Sequence, residues 1–299
     1  MDVSRIHTDY DLDATLASGQ TFAFSAAPRG YSGIAGGRPA EIERLGGGYD
    51  IICRDSDADF WRRYFDLDAS YEQLIGGFLG SHGAEGGVQA AAARMPEGSA
   101  AGGFDEGKRF LAKCAVAFGG LRLLRQPAWE TVCEFIISAN NNIKRIGSIY
   151  KRISERHGEK IEWDGRVYNA FPAPAVLAAL DELELKSLGL GYRAPYLLAT
   201  AREISENGLP DFDAMEYGDA LKLLMKYRGV GEKVADCVLL FSTRHRNAFP
   251  IDVWIERALR ERFGMDGTRR ELKRRAQETF GEAAGVAQQF IFYGMISKL

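Results

Sequence analysis

Lys233 and Asp252 are the two residues around which a reaction is most readily built. The stretch Lys226-Tyr-Arg-Gly-Val-Gly-Glu-Lys-Val-Ala-Asp236 reads as a helix that ends at a Gly-Val-Gly turn, with a second helix beginning within two residues. Gly229 and Gly231 permit φ > 0 and close backbone approach on either side of Val230. The free N–H groups of the second helix point at whatever lies over the turn, an arrangement that suits a phosphate. A plain helix–helix connection carries the same Gly-x-Gly, and Lys226 and Arg228 add only modest positive charge. Lys233 falls in the first turn of the second helix, where the macrodipole disfavours a cation. That field and desolvation both lower an amine's pKa, and an amine that is neutral near pH 7 attacks an electrophilic carbon. Phe249-Pro-Ile-Asp-Val-Trp254, whose Asp252 lies nineteen residues beyond Lys233, opens another amphipathic helix. Asp252 is placed as an N-cap, and the same carboxylate can stabilise a developing cation or accept a proton. Taken singly, a surface lysine and a capping aspartate are the plainer readings.

The elements that must position these residues divide the chain in two. Residues 1–105 read as a small β-containing domain. Gln20–Phe24 alternates at period two, Gly46–Cys53 is a turn feeding a β-branched run, and Phe60, Trp61, Tyr64 and Phe65 recur at helical spacing. Residues 81–104 are dominated by Gly, Ala, Ser and Glu and read as an insertion or linker, with at most a helical turn over 90–94. Residues 106–299 switch to period 3.6, with a stripe of Trp129, Val132, Cys133, Ile136 and Ile137 behind Pro127. Further amphipathic segments follow at about 143–157, 173–187, 193–206, 213–226, 232–242, 252–263, 268–280 and 284–297. The expectation is an α+β chain: a small antiparallel-β N-terminal domain, then an all-helical region. The Gly-Val-Gly turn within it is the helix-hairpin-helix pattern, a sequence-blind grip on a DNA backbone.

Composition narrows the class. The 299 residues are 46% hydrophobic and 26% charged, which excludes wholesale disorder. Cys53, Cys114, Cys133 and Cys237 are scattered, which excludes a disulfide scaffold or a short-spaced metal motif. No apolar run reaches membrane-spanning length and no signal peptide is visible, so a cytoplasmic protein with no membrane partner is expected. The net charge of −3 conceals an asymmetry. Residues 1–105 hold 8 basic and 16 acidic side chains, residues 106–299 hold 30 and 25, and a basic half is a prior for a polyanionic partner.

With Gly229-Val-Gly-Glu-Lys233-Val-Ala-Asp-Cys237 followed by Pro250-Ile-Asp252-Val, the chain resembles the helix-hairpin-helix, Gly/Pro-Asp superfamily of DNA glycosylases. Within it, the chain is similar to the 8-oxoguanine DNA glycosylase/lyase family. Ser18-Gly-Gln-Thr-Phe22, Gly120-Leu-Arg-Leu-Leu-Arg-Gln126, Ser138-Ala-Asn-Asn-Asn-Ile143 with Arg145, Leu188-Gly-Leu-Gly-Tyr-Arg193 and Ala287-Gln-Gln-Phe-Ile-Phe292 carry the narrower likeness. They fall in the family's order and span nearly the whole chain outside 81–104.

The resemblance implies a bifunctional enzyme acting on duplex DNA in which 8-oxoguanine pairs with cytosine. Lys233 would attack C1′, displace the base and form a Schiff base that permits β-elimination, while Asp252 would stabilise the oxocarbenium-like sugar. The nucleotide must leave the stack for this chemistry. By resemblance, Gly19 offers its carbonyl to the N7–H that oxidation creates, Cys237 and Phe292 flank the extruded base, and Gln288 meets its Watson–Crick edge. The i,i+4 spacings of Lys233 with Cys237 and of Gln288 with Phe292 are compatible with those roles. Asn140 would fill the gap left by the flipped base, Arg145 and Arg193 would contact the estranged cytosine, and Tyr192 would wedge beside it.

Departures from the family pattern are Trp254 where animal members carry histidine, Tyr227-Arg228 in place of Leu-Pro, and Ala23-Phe24 in place of Arg-Trp. No cysteine follows Cys237, which argues against an iron–sulfur cluster and the subfamilies that carry one. No redox cofactor is expected, and a cation on backbone carbonyls near Tyr227 and Val230 is implied by the family alone. The family likeness also favours a monomer. Two other readings remain open: a glycosylase/lyase for other oxidised purines or abasic sites, and a non-catalytic helix-hairpin-helix DNA-binding protein. A binder needs the hairpin but not the amine–carboxylate pair.

Overall fold

The computed structural model describes residues 2–79 and 103–299, so the glycine- and alanine-rich stretch falls almost entirely outside the described residues. An antiparallel five-stranded sheet is followed in sequence by a helical region, the α+β organisation expected from the two periodicities. By contacts the chain forms two compact units. One comprises Met1–Asp9, Gly19–Leu67 and Leu124–Arg244; the other comprises Tyr10–Ser18, Asp68–Leu123 and His245–Leu299.

The first unit holds strands β1 (Val3–Thr8), β2 (Phe24–Ala27), β3 (Gly30–Ala35), β4 (Arg38–Leu45) and β5 (Gly48–Arg54), in the order β1-β5-β4-β3-β2. Gly36 and Gly37, at φ +57° and +71°, make the two-residue turn between β3 and β4. Two successive left-handed residues match the twist of a tight hairpin. Helix α2 (Ala58–Tyr64) contributes Phe60, Trp61 and Tyr64, which pack with Phe24 and Phe65 as a cluster of edge-on and tilted rings.

Residues 20–23 depart from the expected strand, since only Phe24 of that stretch enters a ladder. Several of their polar groups are taken by side chains rather than by a neighbouring strand. The Gln20 carbonyl accepts from Gln126 Nε2 (2.7 Å), and Phe22 N donates to Glu134 Oε1 (3.0 Å).

The same unit contains helices α5 (Ala128–Ser138), α6 (Ile143–His157), α7 (Pro174–Ala178), α8 (Glu182–Ser187), α9 (Ala194–Asn207), α10 (Tyr217–Leu224) and α11 (Glu232–Ser242). The continuous segment expected at 173–187 is two short helices, because Asp181 caps a new start by accepting from Glu184 N (2.7 Å). Within this helical run lies a feature that the 3.6 periodicity passes over, a hairpin of β6 (Lys160–Trp163) and β7 (Arg166–Asn169). Its turn is Asp164-Gly165 at φ +49° and +70°, the dipeptide that a two-residue hairpin favours. Trp163, Tyr168 and Ala170 form one apolar cluster with Ile34 and Ile52 of the five-stranded sheet.

The second unit holds α1 (Leu12–Ala17), α3 (Tyr71–Leu79), α4 (Phe104–Ala117), α12 (Val253–Glu261), α13 (Arg269–Phe280) and α14 (Ala284–Ile296). Helix α14 is apolar on nearly all sides and packs against α4 and α12. Gly294 lies so close to the Cys114 thiol of α4 that a methyl group would not fit between them. Thr268 and Glu271 close a reciprocal capping box at the start of α13. The Arg122 guanidinium lies between the rings of Tyr10 (3.4 Å) and Tyr71 (4.3 Å).

Candidate active site

In the first unit the hairpin turn runs from the end of α10 to the start of α11. Gly229 sits at φ +88°, and a Cβ there would lie 2.6 Å from Tyr196 Cβ, so both torsion and space demand glycine. Gly231, the N-cap residue of α11, has ordinary extended torsions and no atom within 4 Å of a hypothetical Cβ. Internal packing therefore does not require glycine at 231, whereas close approach by an outside group benefits from it. Val230 is buried between them and donates its N–H to the Tyr227 carbonyl (3.1 Å). The Tyr217 hydroxyl donates to Asp236 Oδ1 (2.6 Å) and ties α10 to α11.

Lys233 is the second residue of α11 and is half-buried, with its Nζ 5.2 Å from the centroid of the Phe135 ring. Phe135 is stacked in turn on Phe241 near the far end of the same helix, at 5.5 Å and 16°. Cys237, one turn beyond Lys233, is buried. Gly19 lies in the turn after α1 at φ +74°, a torsion glycine adopts without steric cost.

The expected orphan-base residues also come together in this unit. Arg193 is 3% exposed and wraps the α5–α6 turn: its Nε donates to the Ala139 carbonyl (2.7 Å) and its Nη2 to that of Asn140 (2.7 Å). The Tyr192 hydroxyl donates to the same Ala139 carbonyl (3.0 Å), although its ring is exposed. Asn140 adopts φ +48°, a left-handed torsion that asparagine tolerates better than most residues. Arg145 is exposed and reaches the Gly189 carbonyl (3.4 Å).

Two buried carboxyls of α5 had no role in the sequence reading. Glu130 Oε1 accepts from Gly36 N in the β3–β4 turn (2.8 Å), and its Oε2 accepts from the Tyr150 hydroxyl (3.4 Å). Burial pushes the Glu130 pKa up to about 7 against the pull of these donors. Burial likewise holds Glu134 well above the usual carboxylate range, and its Oε2 is enclosed without a hydrogen-bond partner. The available signal was two glutamates four residues apart inside an apolar stripe.

In the second unit Asp252 caps α12, its Oδ1 accepting from Trp254 N (3.0 Å) and Ile255 N (2.8 Å). The carboxylate is thereby fixed at a helix N-terminus, with the side chains of Val253 and Trp254 exposed beside it. Gln288 of α14 is buried and donates its Nε2 to the Pro250 carbonyl (3.2 Å), two residues before Asp252. That bond fixes the amide's orientation and leaves Oε1 enclosed without a partner. Phe292, one turn further along α14, is half-buried. Among the described residues no group of three or more His, Cys, Asp or Glu side chains is arranged to hold a metal, and no helix is long and apolar enough to cross a membrane.

Residues 133–282 match the HhH-GPD superfamily of base excision DNA repair proteins, and residues 3–132 match the N-terminal domain of 8-oxoguanine DNA glycosylase. A probable N-glycosylase/DNA lyase of Methanothermobacter thermautotrophicus is 35% identical over 195 residues, 58% of this chain and 62% of that protein. The N-glycosylase/DNA lyase of Saccharomyces cerevisiae is 35% identical over 168 residues, 52% of this chain and 45% of that protein. The chain thus spans less than two thirds of the length of either relative. The Clostridium acetobutylicum 8-oxoguanine glycosylase/lyase, solved with double-stranded DNA carrying cytosine opposite 8-oxoguanine, superimposes with a TM-score of 0.82 at 27% identity over the full length of both chains. The chain belongs to the HhH-GPD superfamily of base excision DNA repair proteins, in its 8-oxoguanine DNA glycosylase/lyase branch.

Proposed function

We propose that this protein excises 8-oxoguanine paired with cytosine from duplex DNA and then nicks the strand by β-elimination. The observation that carries the reading is Lys233, an amine in the first turn of the hairpin's second helix. A protein that only grips phosphates uses a lysine readily but has no need of both this amine and the Asp252 carboxylate. Binding through the turn of Gly229, Val230 and Gly231 brings the N-terminus of α11 to the phosphates, while the Val230 N–H itself is held by the Tyr227 carbonyl. The target nucleotide is rotated out of the stack, at an unstacking cost of roughly a few kcal/mol. Lys233 Nζ attacks C1′ as the C1′–N9 bond breaks, and Asp252 stabilises the positive charge on the sugar. The resulting aminal loses a proton from Nζ and opens at C1′–O4′, with O4′ taking up a proton, to give the Schiff base, and loss of a proton from C2′ then expels the 3′ phosphate.

Gln288 supports a guanine-type edge. Its unpartnered Oε1 is an acceptor, which the N1–H and N2–H donors of 8-oxoguanine satisfy and the N1 lone pair of adenine does not. Gly19 separates 8-oxoguanine from guanine, since its carbonyl meets an N7–H in one and a lone pair in the other. The family likeness assigns Cys237 and Phe292 to the two faces of the extruded base. Asn140, Arg145, Tyr192 and Arg193 form the surface for the widowed cytosine. No step needs a redox cofactor. The Tyr227 carbonyl accepts the Val230 amide, and no step is routed through a hairpin cation.

Borohydride trapping on 8-oxoguanine:cytosine, abasic and undamaged duplexes tests the reading. The expected result is a covalent adduct selective for the lesion and absent in Lys233→Gln, with lesion binding retained. An adduct on the abasic duplex alone leaves only a lyase. Binding without any adduct favours a non-catalytic protein.

A further inference from the structure

Gln126 lies in a buried polar network that joins the lysine helix to the loop carrying Gly19, and neither its sequence position nor its neighbours give it a catalytic role. Its main-chain N–H donates to the Phe241 carbonyl (2.8 Å), near the end of α11, where helix carbonyls lack intrahelical partners. Its side-chain Nε2 donates to the Gln20 carbonyl (2.7 Å). Gln20 is itself fully buried, and its side-chain Oε1 accepts from Leu124 N (2.9 Å). Residue 20 is therefore held at both its carbonyl and its side chain by the segment 124–126. Two more anchors follow in the same loop, from Thr21 Oγ1 to the Tyr64 hydroxyl (3.0 Å) and from Phe22 N to Glu134 Oε1.

Fixing the carbonyl and the side chain of residue 20 fixes its Cα and N, and so leaves only the φ rotation of residue 20 to turn the peptide plane that precedes it. Peptide groups are rigid, so the plane linking residues 19 and 20 carries the Gly19 carbonyl with it. Gly19 contributes no side chain and sits at a left-handed torsion, so its own residue supplies little restraint. The restraint comes from residue 20, and through Gln126 it is referred to the helix that carries Lys233.

We propose that Gln126 is a specificity-positioning residue, which aims the Gly19 carbonyl relative to the Lys233 helix so that lesion recognition and nucleophilic attack are held in register. The proposal rests on the function proposed above for Gly19 and Lys233.

Gln126→Met keeps the side chain's length and removes its donor. Single-turnover excision of 8-oxoguanine opposite cytosine should fall about tenfold, equivalent to about 1.4 kcal/mol. β-Elimination at a preformed abasic site, which has no base to read, should change less than twofold, as should the Kd for the abasic duplex. Equal losses in both reactions would make Gln126 a general support of the fold and overturn the proposal, and so would unchanged excision. Should Gln126→Met fail to fold, Gln20→Met removes the reciprocal bond to Leu124 N and must give the same split between the two reactions. If the wild-type protein nicks abasic DNA but leaves 8-oxoguanine in place, the proposed function fails first, and the variants are then not needed to show it.

Discussion

Arg193 and Arg145 were expected to act alike, and their surroundings separate them. Arg193 is buried and satisfies two consecutive carbonyls of the α5–α6 turn, whereas Arg145 is exposed with one long contact. Removing Arg193 takes the charged donors from the Ala139 carbonyl, which keeps only the Tyr192 hydroxyl, and from the Asn140 carbonyl, a loss of about 1–3 kcal/mol. Arg193→Ala should therefore lower the melting temperature and weaken the preference for cytosine opposite the lesion together. Arg145→Ala should weaken that preference at unchanged melting temperature. Opposite-base excision ratios and thermal melts on both variants check this, and matching behaviour of the two would remove the distinction. The residue types and order of this cluster were legible in the sequence through Ser138–Ile143 and Leu188–Arg193. The bonds that bury one arginine and expose the other were not, because they depend on where two distant turns meet in the fold. Gln126, Gln20 and Glu134 escaped for the same reason. Each looks like an ordinary polar residue until residues a hundred positions apart are neighbours.

At the scale of elements, the two hairpin glycines have different reasons to be glycine. Gly229→Ala meets Tyr196 at a positive φ and should destabilise the fold by about 1–3 kcal/mol. Gly231→Ala points a methyl group into open space and should leave the melting temperature unchanged, yet weaken binding to undamaged duplex severalfold. Thermal melts and duplex Kd values for both variants distinguish the folding glycine from the binding one. Helix α5 gives a second test through Glu130, whose carboxyl holds the β3–β4 turn. Its folded pKa, about 7, lies above the ordinary value of 4.5. Across that window the folded protein keeps a proton that the unfolded chain releases, so stability falls as pH rises, by roughly 3 kcal/mol in all. Glu130→Gln keeps the acceptor for Gly36 N and should flatten the melting temperature between pH 5 and pH 7. Glu134, shifted in the same direction, accounts for the slope that remains. Most helices followed from the 3.6 periodicity. The 160–169 hairpin did not, although Asp164-Gly165 between alternating residues was a legible turn signal that the surrounding helical pattern overrode.

For the whole molecule, the order of the chain and the grouping of its contacts do not coincide. The backbone crosses between the two units five times, after Asp9, Ser18, Leu67, Leu123 and Arg244. Asp252, Gln288 and Phe292 belong to a unit that draws on residues 10–18 and 68–123, whereas Lys233 belongs to the unit built on the sheet. During synthesis, then, the early helices of the second unit emerge well before α12, α13 and α14, which supply much of its interior. Until those arrive, α4 has no Gly294 to close on and its apolar face is open to chaperones and to other nascent chains. No single cut in the described chain yields a self-sufficient half. A pair of fragments split at Arg244 should regain excision only when co-expressed, so the architecture suits a complementation reporter better than a truncation series.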